Sequence, residues 1–132
     1  MERIYTTPLL DKLGVKPGAR VAIIRIHDEV FRALLPERTT DITEGNPLPQ
    51  TDLIFLAADS VDELLEIATL QESLVPNGAI WVVSRKGKAA TLRDVDVIDA
   101  AKSVGLVDNK VASFSDTHTA LRLVIPVARR SR

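Results

Sequence analysis

The sequence predicts an α/β fold: a three-layer Rossmann-like sandwich whose sheet is mostly parallel and ends in a C-terminal antiparallel hairpin. Three apolar, β-branched runs predict buried strands at 21–26, 53–58 and 79–83. Helical patterns separate them, as parallel neighbours require. Two more strand-like runs, 106–115 and 120–127, have only four residues between them. Because no helix fits in that gap, these two runs should pair as a hairpin.

Length and composition predict a single α/β domain over residues 1–132. The chain is 45% hydrophobic and 27% charged, and 17 Lys and Arg against 18 Asp and Glu give a net charge of −1. That balance makes nucleic acid an unfavoured partner. The absence of cysteine excludes disulfides and thiolate metal sites. The sequence shows neither a signal peptide nor a membrane span, so we expect a cytoplasmic protein without a membrane partner.

The N-terminal part of the chain predicts two short helices around the first strand. Thr7-Pro8 begins the first, because threonine caps a helix and proline suits its first turn, and Gly14 ends it. Val30, Phe31, Leu34 and Leu35 have helical spacing and predict a helix that ends before Pro36. Residues 39–43 are predicted as a short edge strand.

The middle of the chain predicts a longer helix after the second strand. Ser60 and Glu63 have the spacing of a capping box, and apolar positions at helical intervals continue to Val75. Pro76-Asn77-Gly78 should stop this helix before the third strand.

The C-terminal part predicts one more helix before the hairpin. Thr91 and Asp94 repeat the capping spacing, and the helix should run to about Val104. After the hairpin, Arg129-Arg130-Ser131-Arg132 predicts a flexible basic tail at about 129–132.

The order of elements in the second half resembles that of the Rossmann-type methyltransferases. The resemblance covers roughly residues 51–127. This part of the chain has, in order, a helix, the segment Leu74 to Val82, a basic loop, a further helix, Gly105-Leu106-Val107 and a hairpin. Those enzymes use S-adenosylmethionine and also finish with an antiparallel hairpin. The resemblance implies a reduced methyltransferase-like fold.

A second resemblance covers most of the chain. Four segments carry it: Leu13 to Gly18, Leu34-Leu35-Pro36, Gly105 to Val111 and Thr119 to Val124. They are similar to recurring segments of short, uncharacterised bacterial proteins, the domain of unknown function 3052 family. The resemblance implies the fold and carries no activity. The chain departs from the family pattern at Thr117-His118, where relatives tend to have Trp, and at Arg85-Lys86, where they tend to have Pro-Lys.

The first strand is followed by a turn that fits a working methyltransferase badly. Such an enzyme needs a glycine-rich turn there, because only glycine lets the backbone approach the cofactor closely. Residues 26–35 contain no glycine. We therefore expect no cofactor, and keep a divergent S-adenosylmethionine-dependent methyltransferase as an alternative activity.

Candidate ligand-binding residues follow the predicted strands, since ligands of open α/β sheets bind beyond the carboxyl ends where the strand order reverses. They are His27 and Asp28 after the first strand, Asp59 and Ser60 after the second, and Arg85, Lys86 and Lys88 after the third. Three cations beside Gly87 suit an anionic small molecule such as a phosphate, nucleotide or carboxylate. The alternative for this loop is a solvated surface without a ligand.

Neither a metal site nor a catalytic residue is predicted. His27 and His118, with Asp28, Glu29 and Asp116, suggest metal ligands, but the two histidines belong to strands about three positions apart, or ~14 Å. Ser60 is used as a helix cap, and no glycine-flanked serine elbow occurs.

These observations predict a non-catalytic binding or interaction module, acting as a homodimer or with a protein partner. The alternatives are an anion or nucleotide binder at the carboxyl edge, and the divergent methyltransferase.

Overall fold

A computed structural model describes residues 8–130 as a six-stranded sheet flanked by helices. The strands are β1 (Val21–Ile24), β2 (Ile42–Glu44), β3 (Thr51–Ala57), β4 (Leu74–Arg85), β5 (Val107–Ser113) and β6 (His118–Val124). Their order is β2-β1-β3-β4-β6-β5. The pairs among β1 to β4 are parallel, and β6 runs antiparallel to both β4 and β5. The predicted α/β fold with its terminal hairpin is therefore confirmed.

Within residues 8–130, five α-helices cover the two faces of the sheet. They are α1 (Leu9–Lys12), α2 (Glu29–Arg38), α3 (Val61–Leu64), α4 (Ile67–Leu70) and α5 (Asp94–Ser103), with short 3₁₀ turns at Gln71–Ser73, Gly87–Ala89 and Val127–Arg129. None of the helices in the described part of the chain has the length and apolar character needed to cross a membrane. Thr7, predicted to begin the first helix, and the last two residues of the predicted tail lie outside the described residues.

Two apolar clusters, one on each face of the sheet, make up the core. Leu10 of α1 and Phe31 of α2 belong to the first cluster, together with Trp81 of β4. Ile67 of α4 and Val97 of α5 belong to the second. Near-continuous apolar strands are needed here because helices cover both faces, which makes the fold three-layered.

Helix α2 ends later than predicted. It continues through Pro36 to Arg38, although proline removes one helical hydrogen bond. Burial of Phe31 and Leu35 in the first cluster holds the last turns in place, and the backbone N–H of Thr39 donates to the Leu35 carbonyl. Tertiary packing thus overrides the local penalty.

The predicted long helix after β3 is wrong in its second half. The helical stretch is broken into α3, α4 and a 3₁₀ turn, and Leu74 already belongs to β4. Thr51 pairs with Leu74 and Leu53 with Ala79, so the intervening Pro76-Asn77-Gly78 forms a bulge within the strand. Gly78 fits there because a Cβ atom would lie 2.8 Å from the Asp52 carbonyl oxygen.

The capping predicted at Thr91 is also wrong by two residues. Helix α5 begins after Arg93, whose backbone N–H donates to the Asp96 carboxylate at 2.9 Å. The Thr91 hydroxyl instead donates to the Asp59 carbonyl at 2.5 Å. It thereby fastens the loop after β4 to the end of β3.

The connection from β2 to β3 is a short linker, residues 45–50, without a helix. Arg20 holds it in place: its Nη1 donates to the Pro49 carbonyl at 2.6 Å, and its Nε to Asp41 at 3.0 Å. The backbone N–H of Arg20 donates to Asp52 at 2.8 Å. This compact crossing returns the chain to the amino end of β3, beside β1.

Candidate functional site: the carboxyl-edge cavity

The strand order reverses between β1 and β3. From β1 the chain passes to β2 on one side, while β3 lies on the other side, so the connections leave a crevice at the carboxyl ends of these strands. β4 follows β3 in the same direction, and the turn between β5 and β6 reaches the same edge because Arg85 pairs with His118.

A cavity of about 420 Å³ lies at this edge. It is lined by Arg25, Ile26, His27, Asp28, Ala57, Asp59, Val83, Arg85, Phe114, Thr117 and His118. We call it the carboxyl-edge cavity. Its volume falls in the range of roughly 300–1,000 Å³ typical of small-molecule sites.

Arg85 is the last residue of β4 and lines the cavity in an ion pair with Asp59. Its Nε lies 3.4 Å from Asp59 Oδ2, and its backbone N–H donates to Asp59 Oδ1 at 3.1 Å. Within residues 8–130, its terminal nitrogens Nη1 and Nη2 donate no hydrogen bond. Asp59 therefore orients the guanidinium and leaves its outer edge, formed by Nη1 and Nη2, able to bind an anion in a bidentate contact.

Arg25 also lines the cavity, but its charge is already matched. Its Nη2 donates to Glu66 at 2.7 Å and to the Ala57 carbonyl at 3.2 Å, and its Nε lies 3.4 Å from Glu63. The side chain thus reaches from the end of β1 past the end of β3 to α3 and α4. Arg25 forms a wall of the cavity.

The backbone at Arg25 is left-handed, with φ 59°. A residue with a Cβ atom occupies this region at a cost of roughly 1–2 kcal/mol, so surrounding contacts must hold it there. The Glu63 and Glu66 ion pairs are such contacts. This conformation ends β1 two residues before the predicted limit at residue 26.

The next side chains belong to the start of α2. Asp28 is the N-cap, and its Oδ1 accepts from the Phe31 backbone N–H at 2.8 Å. His27 precedes it and is exposed at the rim of the cavity. The Asp28 carboxylate is therefore engaged with the helix, while the His27 imidazole faces solvent and cavity.

The hairpin turn supplies the opposite wall. His118 Nδ1 lies 2.8 Å from the Thr117 hydroxyl, and the His118 backbone N–H donates to Ser115 Oγ at 3.1 Å. These contacts fix the imidazole of a half-buried residue and leave its Nε2 for another partner.

The floor of the cavity is apolar. Ile26, Val83 and Phe114 are buried and line it. Phe114 packs against Phe31 with ring centroids 5.0 Å apart, and Phe31 packs in turn on Phe55 at 4.9 Å. A rigid aromatic stack therefore supports the floor from beneath.

Four of the seven predicted ligand-binding residues lie together in this cavity: His27, Asp28, Asp59 and Arg85. Lys86, Lys88 and Ser60 do not line it. Lys86 Nζ donates to Ser113 Oγ at 2.9 Å, Lys88 is exposed on the following 3₁₀ turn, and Ser60 caps α3 by accepting from Glu63 N. Arg25, Thr117 and Phe114 also line the cavity and are not among the seven predicted residues.

The two histidines line one cavity from opposite sides, although they belong to strands three positions apart as predicted. Residues 8–130 contain no group of three or more His, Asp or Glu side chains placed to hold a metal ion. The His and Asp side chains that line the cavity are therefore not grouped closely enough to share one metal ion.

The residues after β1 do not fit S-adenosylmethionine in the manner expected of a methyltransferase turn. Residues 25–28 place the side chains of Arg25, His27 and Asp28 at the cavity, where a glycine-rich turn would offer bare backbone. The ion pairs of Arg25 with Glu63 and Glu66 also span the crevice between β1 and α3.

Comparison with known protein families gives one match. The family model described as "Protein of unknown function (DUF3052)" matches residues 11–127. A search of curated proteins gives no match.

Solved structures similar to this chain include several methyltransferases. A SAM dependent methyltransferase from Aquifex aeolicus has a TM-score of 0.67 at 12% identity, with 89% of this chain and 88% of that chain covered. The pyocyanin biosynthetic protein PhzM has a TM-score of 0.61 at 10% identity, covering 87% and 52%. Magnesium protoporphyrin IX methyltransferase from Synechocystis PCC 6803, solved with bound SAM, has a TM-score of 0.55 at 10% identity, covering 89% and 74%. Identities this low show a shared methyltransferase-like fold.

Proposed function

Because this chain belongs to the DUF3052 family of proteins of unknown function, we propose a function from its site: it is a non-catalytic module that binds a small organic anion in the carboxyl-edge cavity. The observation that carries the proposal is the outer edge of Arg85. That guanidinium is oriented by Asp59 and faces a cavity whose other walls carry His27, His118 and Thr117.

The hydrogen-bond donors around the cavity favour an anion. Arg25 is matched by two glutamates, and Asp28 and Asp59 are each engaged in hydrogen bonds to backbone N–H groups. Arg85 is also paired with Asp59, but within residues 8–130 its Nη1 and Nη2 groups make no hydrogen bond, so they are the donors that a ligand would meet, and two imidazoles line the same cavity. A phosphate or carboxylate group accepts hydrogen bonds from all three.

The apolar floor favours a ligand with an apolar body. Ile26, Val83 and Phe114 lie beneath the polar rim. Transfer of an aliphatic or aromatic group onto this surface removes apolar area from water, which contributes about 25 cal/mol per Å². One anionic group on a compact apolar body matches both parts of the cavity.

A divergent methyltransferase is the second candidate. It is favoured by the sheet order and by the similarity to solved methyltransferases. The turn after β1 argues against it, because residues 25–28 contain no glycine and Arg25 spans the crevice. We expect S-adenosylmethionine to bind weakly or not at all.

A thermal-shift series separates the candidates. Phenyl phosphate combines one anionic group with an apolar ring, while inorganic phosphate and phenol each carry one half of it. A ligand that binds only the folded state raises the melting temperature. We expect phenyl phosphate to stabilise the protein more than either half, and S-adenosylmethionine to give no shift.

Variants of the loop after β4 provide the matched control. Arg85→Gln removes a guanidinium group that lines the cavity, whereas Lys86→Ala with Lys88→Ala removes two neighbouring charges that do not line it. Calorimetry with phenyl phosphate should show at least about tenfold weaker binding for the first variant, or 1.4 kcal/mol. The double lysine variant should bind like the wild type. Equal losses in both variants would mean a diffuse electrostatic effect and would contradict the proposed site.

A further inference from the structure

A second basic site lies toward the amino ends of the strands, centred on Arg122. Arg122 of β6 pairs with Trp81 of β4, and its half-buried side chain lies on the face that α1 covers. Its Nη1 donates to Asn109 Oδ1 at 3.3 Å. Within residues 8–130, no carboxylate lies within 4.0 Å of this guanidinium. A partly buried cation without an acidic partner is uncommon, because desolvation must be offset by a counter-charge.

The surroundings of Arg122 add to this imbalance. Burial, followed by repulsion from Arg130, lowers the pKa of Arg122 from its ordinary value. Arg130 itself is held nearby, since its Nε donates to the Ile125 carbonyl at 2.9 Å. The fold therefore holds two guanidinium groups close enough to repel each other.

Two depressions meet at Arg122, and each brings further basic groups. One, of about 280 Å³, is lined by Lys16, the Pro17-Gly18 turn and Asn77. The other, of about 260 Å³, is lined by Lys12, Asn109 and Lys110. Gly14 and Arg122 line both. We call this pair of depressions the amino-edge site.

The acidic residues at the amino-edge site are already engaged. Asp11 pairs with Arg38 at 3.0 Å, and Asp52 accepts from the Arg20 backbone N–H at 2.8 Å. Lys110 Nζ donates to the Lys12 carbonyl at 2.7 Å, which holds its ammonium group beside the site. The lining therefore presents an excess of positive charge that the described residues do not neutralise.

We propose that the amino-edge site binds a compact phosphate-bearing small molecule. The planar fork of Arg122 suits two oxygens of one phosphate group, and Lys16, Lys12 and Lys110 act as point charges around it. The amide groups of Asn77 and Asn109 supply further hydrogen bonds. This site is separate from the carboxyl-edge cavity and does not depend on the function proposed for it.

Calorimetry with inorganic pyrophosphate tests the amino-edge site. We expect stoichiometric binding to the wild type with a dissociation constant below about 1 mM. Arg122→Gln should weaken it at least about tenfold, and Arg122→Lys, which keeps the charge and loses the fork, should fall between them. Lys88→Gln, which removes an exposed cation that lines neither site, is the matched control and should bind pyrophosphate like the wild type.

A stability readout accompanies the binding data. Because Arg122 is partly buried and repelled by Arg130, Arg122→Gln should melt no lower than the wild type without ligand and should lose the rise in melting temperature that pyrophosphate gives. Lys16→Gln changes an exposed side chain and should weaken pyrophosphate binding a few-fold without affecting folding. Equal binding by wild type and Arg122→Gln, or no wild-type binding at millimolar pyrophosphate, would overturn the proposal. Binding confined to long polyanions such as RNA would also overturn it.

Discussion

Replacing Arg25 by alanine and by glycine separates two effects at the end of β1: the side-chain contacts of Arg25 and the strain of its left-handed backbone. Arg25→Ala keeps a Cβ atom at φ 59° and removes the side-chain contacts. Arg25→Gly removes the same contacts and also the conformational cost of a left-handed residue. The difference in stability between the two variants therefore reports the backbone strain less the cost of the flexibility that glycine adds to the unfolded chain.

The structure gives the magnitude of each effect. The side chains of Arg25, Glu63 and Glu66 are 39%, 37% and 39% exposed, so each ion pair contributes about 0.2–1 kcal/mol. The hydrogen bond to the Ala57 carbonyl, 3.2 Å long, contributes about 0.5–1.5 kcal/mol. Arg25→Ala should therefore lower the free energy of unfolding by about 1–3 kcal/mol.

Glycine should recover part of that loss. Relief of about 1–2 kcal/mol in the left-handed region exceeds the about 0.5–1 kcal/mol that the flexibility of glycine costs on folding. We expect Arg25→Gly to be more stable than Arg25→Ala by about 0.5–1 kcal/mol, or roughly 2–5 °C in melting temperature. Urea unfolding followed by circular dichroism measures the difference.

Arg32 provides a control at which the stability difference between glycine and alanine should have the opposite sign. It also forms an exposed ion pair, with Glu44, but it lies inside α2. There glycine should be less stable than alanine by about 1 kcal/mol. If glycine is also the less stable substitution at position 25, the backbone there is not strained and the reasoning about the end of β1 is refuted.

Three further predictions follow from single contacts. Trp81→Phe leaves the Leu13 carbonyl without its 3.0 Å indole hydrogen bond and opens a cavity, so the free energy of unfolding should fall by about 2–4 kcal/mol. The urea midpoint should fall with it, and an unchanged midpoint would contradict this. Asp28→Ala should cost about 1 kcal/mol and Asp28→Asn much less, because asparagine still caps α2; equal losses by thermal melting would rule out the cap as the cause. Hydrogen bonds from the Arg93 backbone and side chain lower the pKa of Asp96, so its contribution is present above the ordinary carboxyl pKa and is lost as pH falls through the lowered value. The stability gap between wild type and Asp96→Asn should therefore be present at neutral pH and close in acid, and a gap that persists in acid would refute the assignment.

The strands could be predicted because their signal is local. Runs such as 53–58 and 79–83 are apolar on both faces, which only a strand buried between two helical layers requires. The four residues at 116–119 likewise allow only a hairpin. The order of β1, β3 and β4 is the one that the resemblance to the methyltransferases implies, because right-handed crossovers fix the handedness of each connection and not the order of the strands.

The errors arose where packing decides between two local patterns. Leu74 and Val75 continue a helical spacing, yet both belong to β4, where Leu74 pairs with Thr51 of β3 and Gly78 allows the close approach to Asp52. Pro36 breaks helices in general, yet α2 continues past it because Leu35 is buried. Sequence patterns give no measure of such tertiary contacts.

The carboxyl-edge residues were partly predictable for a topological reason. His27, Asp28, Asp59 and Arg85 follow parallel strands, so the sheet alone brings them to one edge. Lys86 was not separable from Arg85 by sequence, because the direction of its side chain depends on Ser113 of the hairpin. The wall formed by Arg25 depends on a left-handed conformation that a non-glycine residue does not signal.

Nuclear magnetic resonance titration of the ¹⁵N-labelled protein with phenyl phosphate tests the carboxyl-edge cavity most directly. Amide shifts should cluster at residues 25–28, 57–59, 83–85 and 114–118, the four segments that surround the cavity. Arg85→Gln should abolish most of these shifts at the same ligand concentration. Shifts confined to other parts of the chain, or a full set of cavity shifts retained in Arg85→Gln, would contradict an anion site built on Arg85.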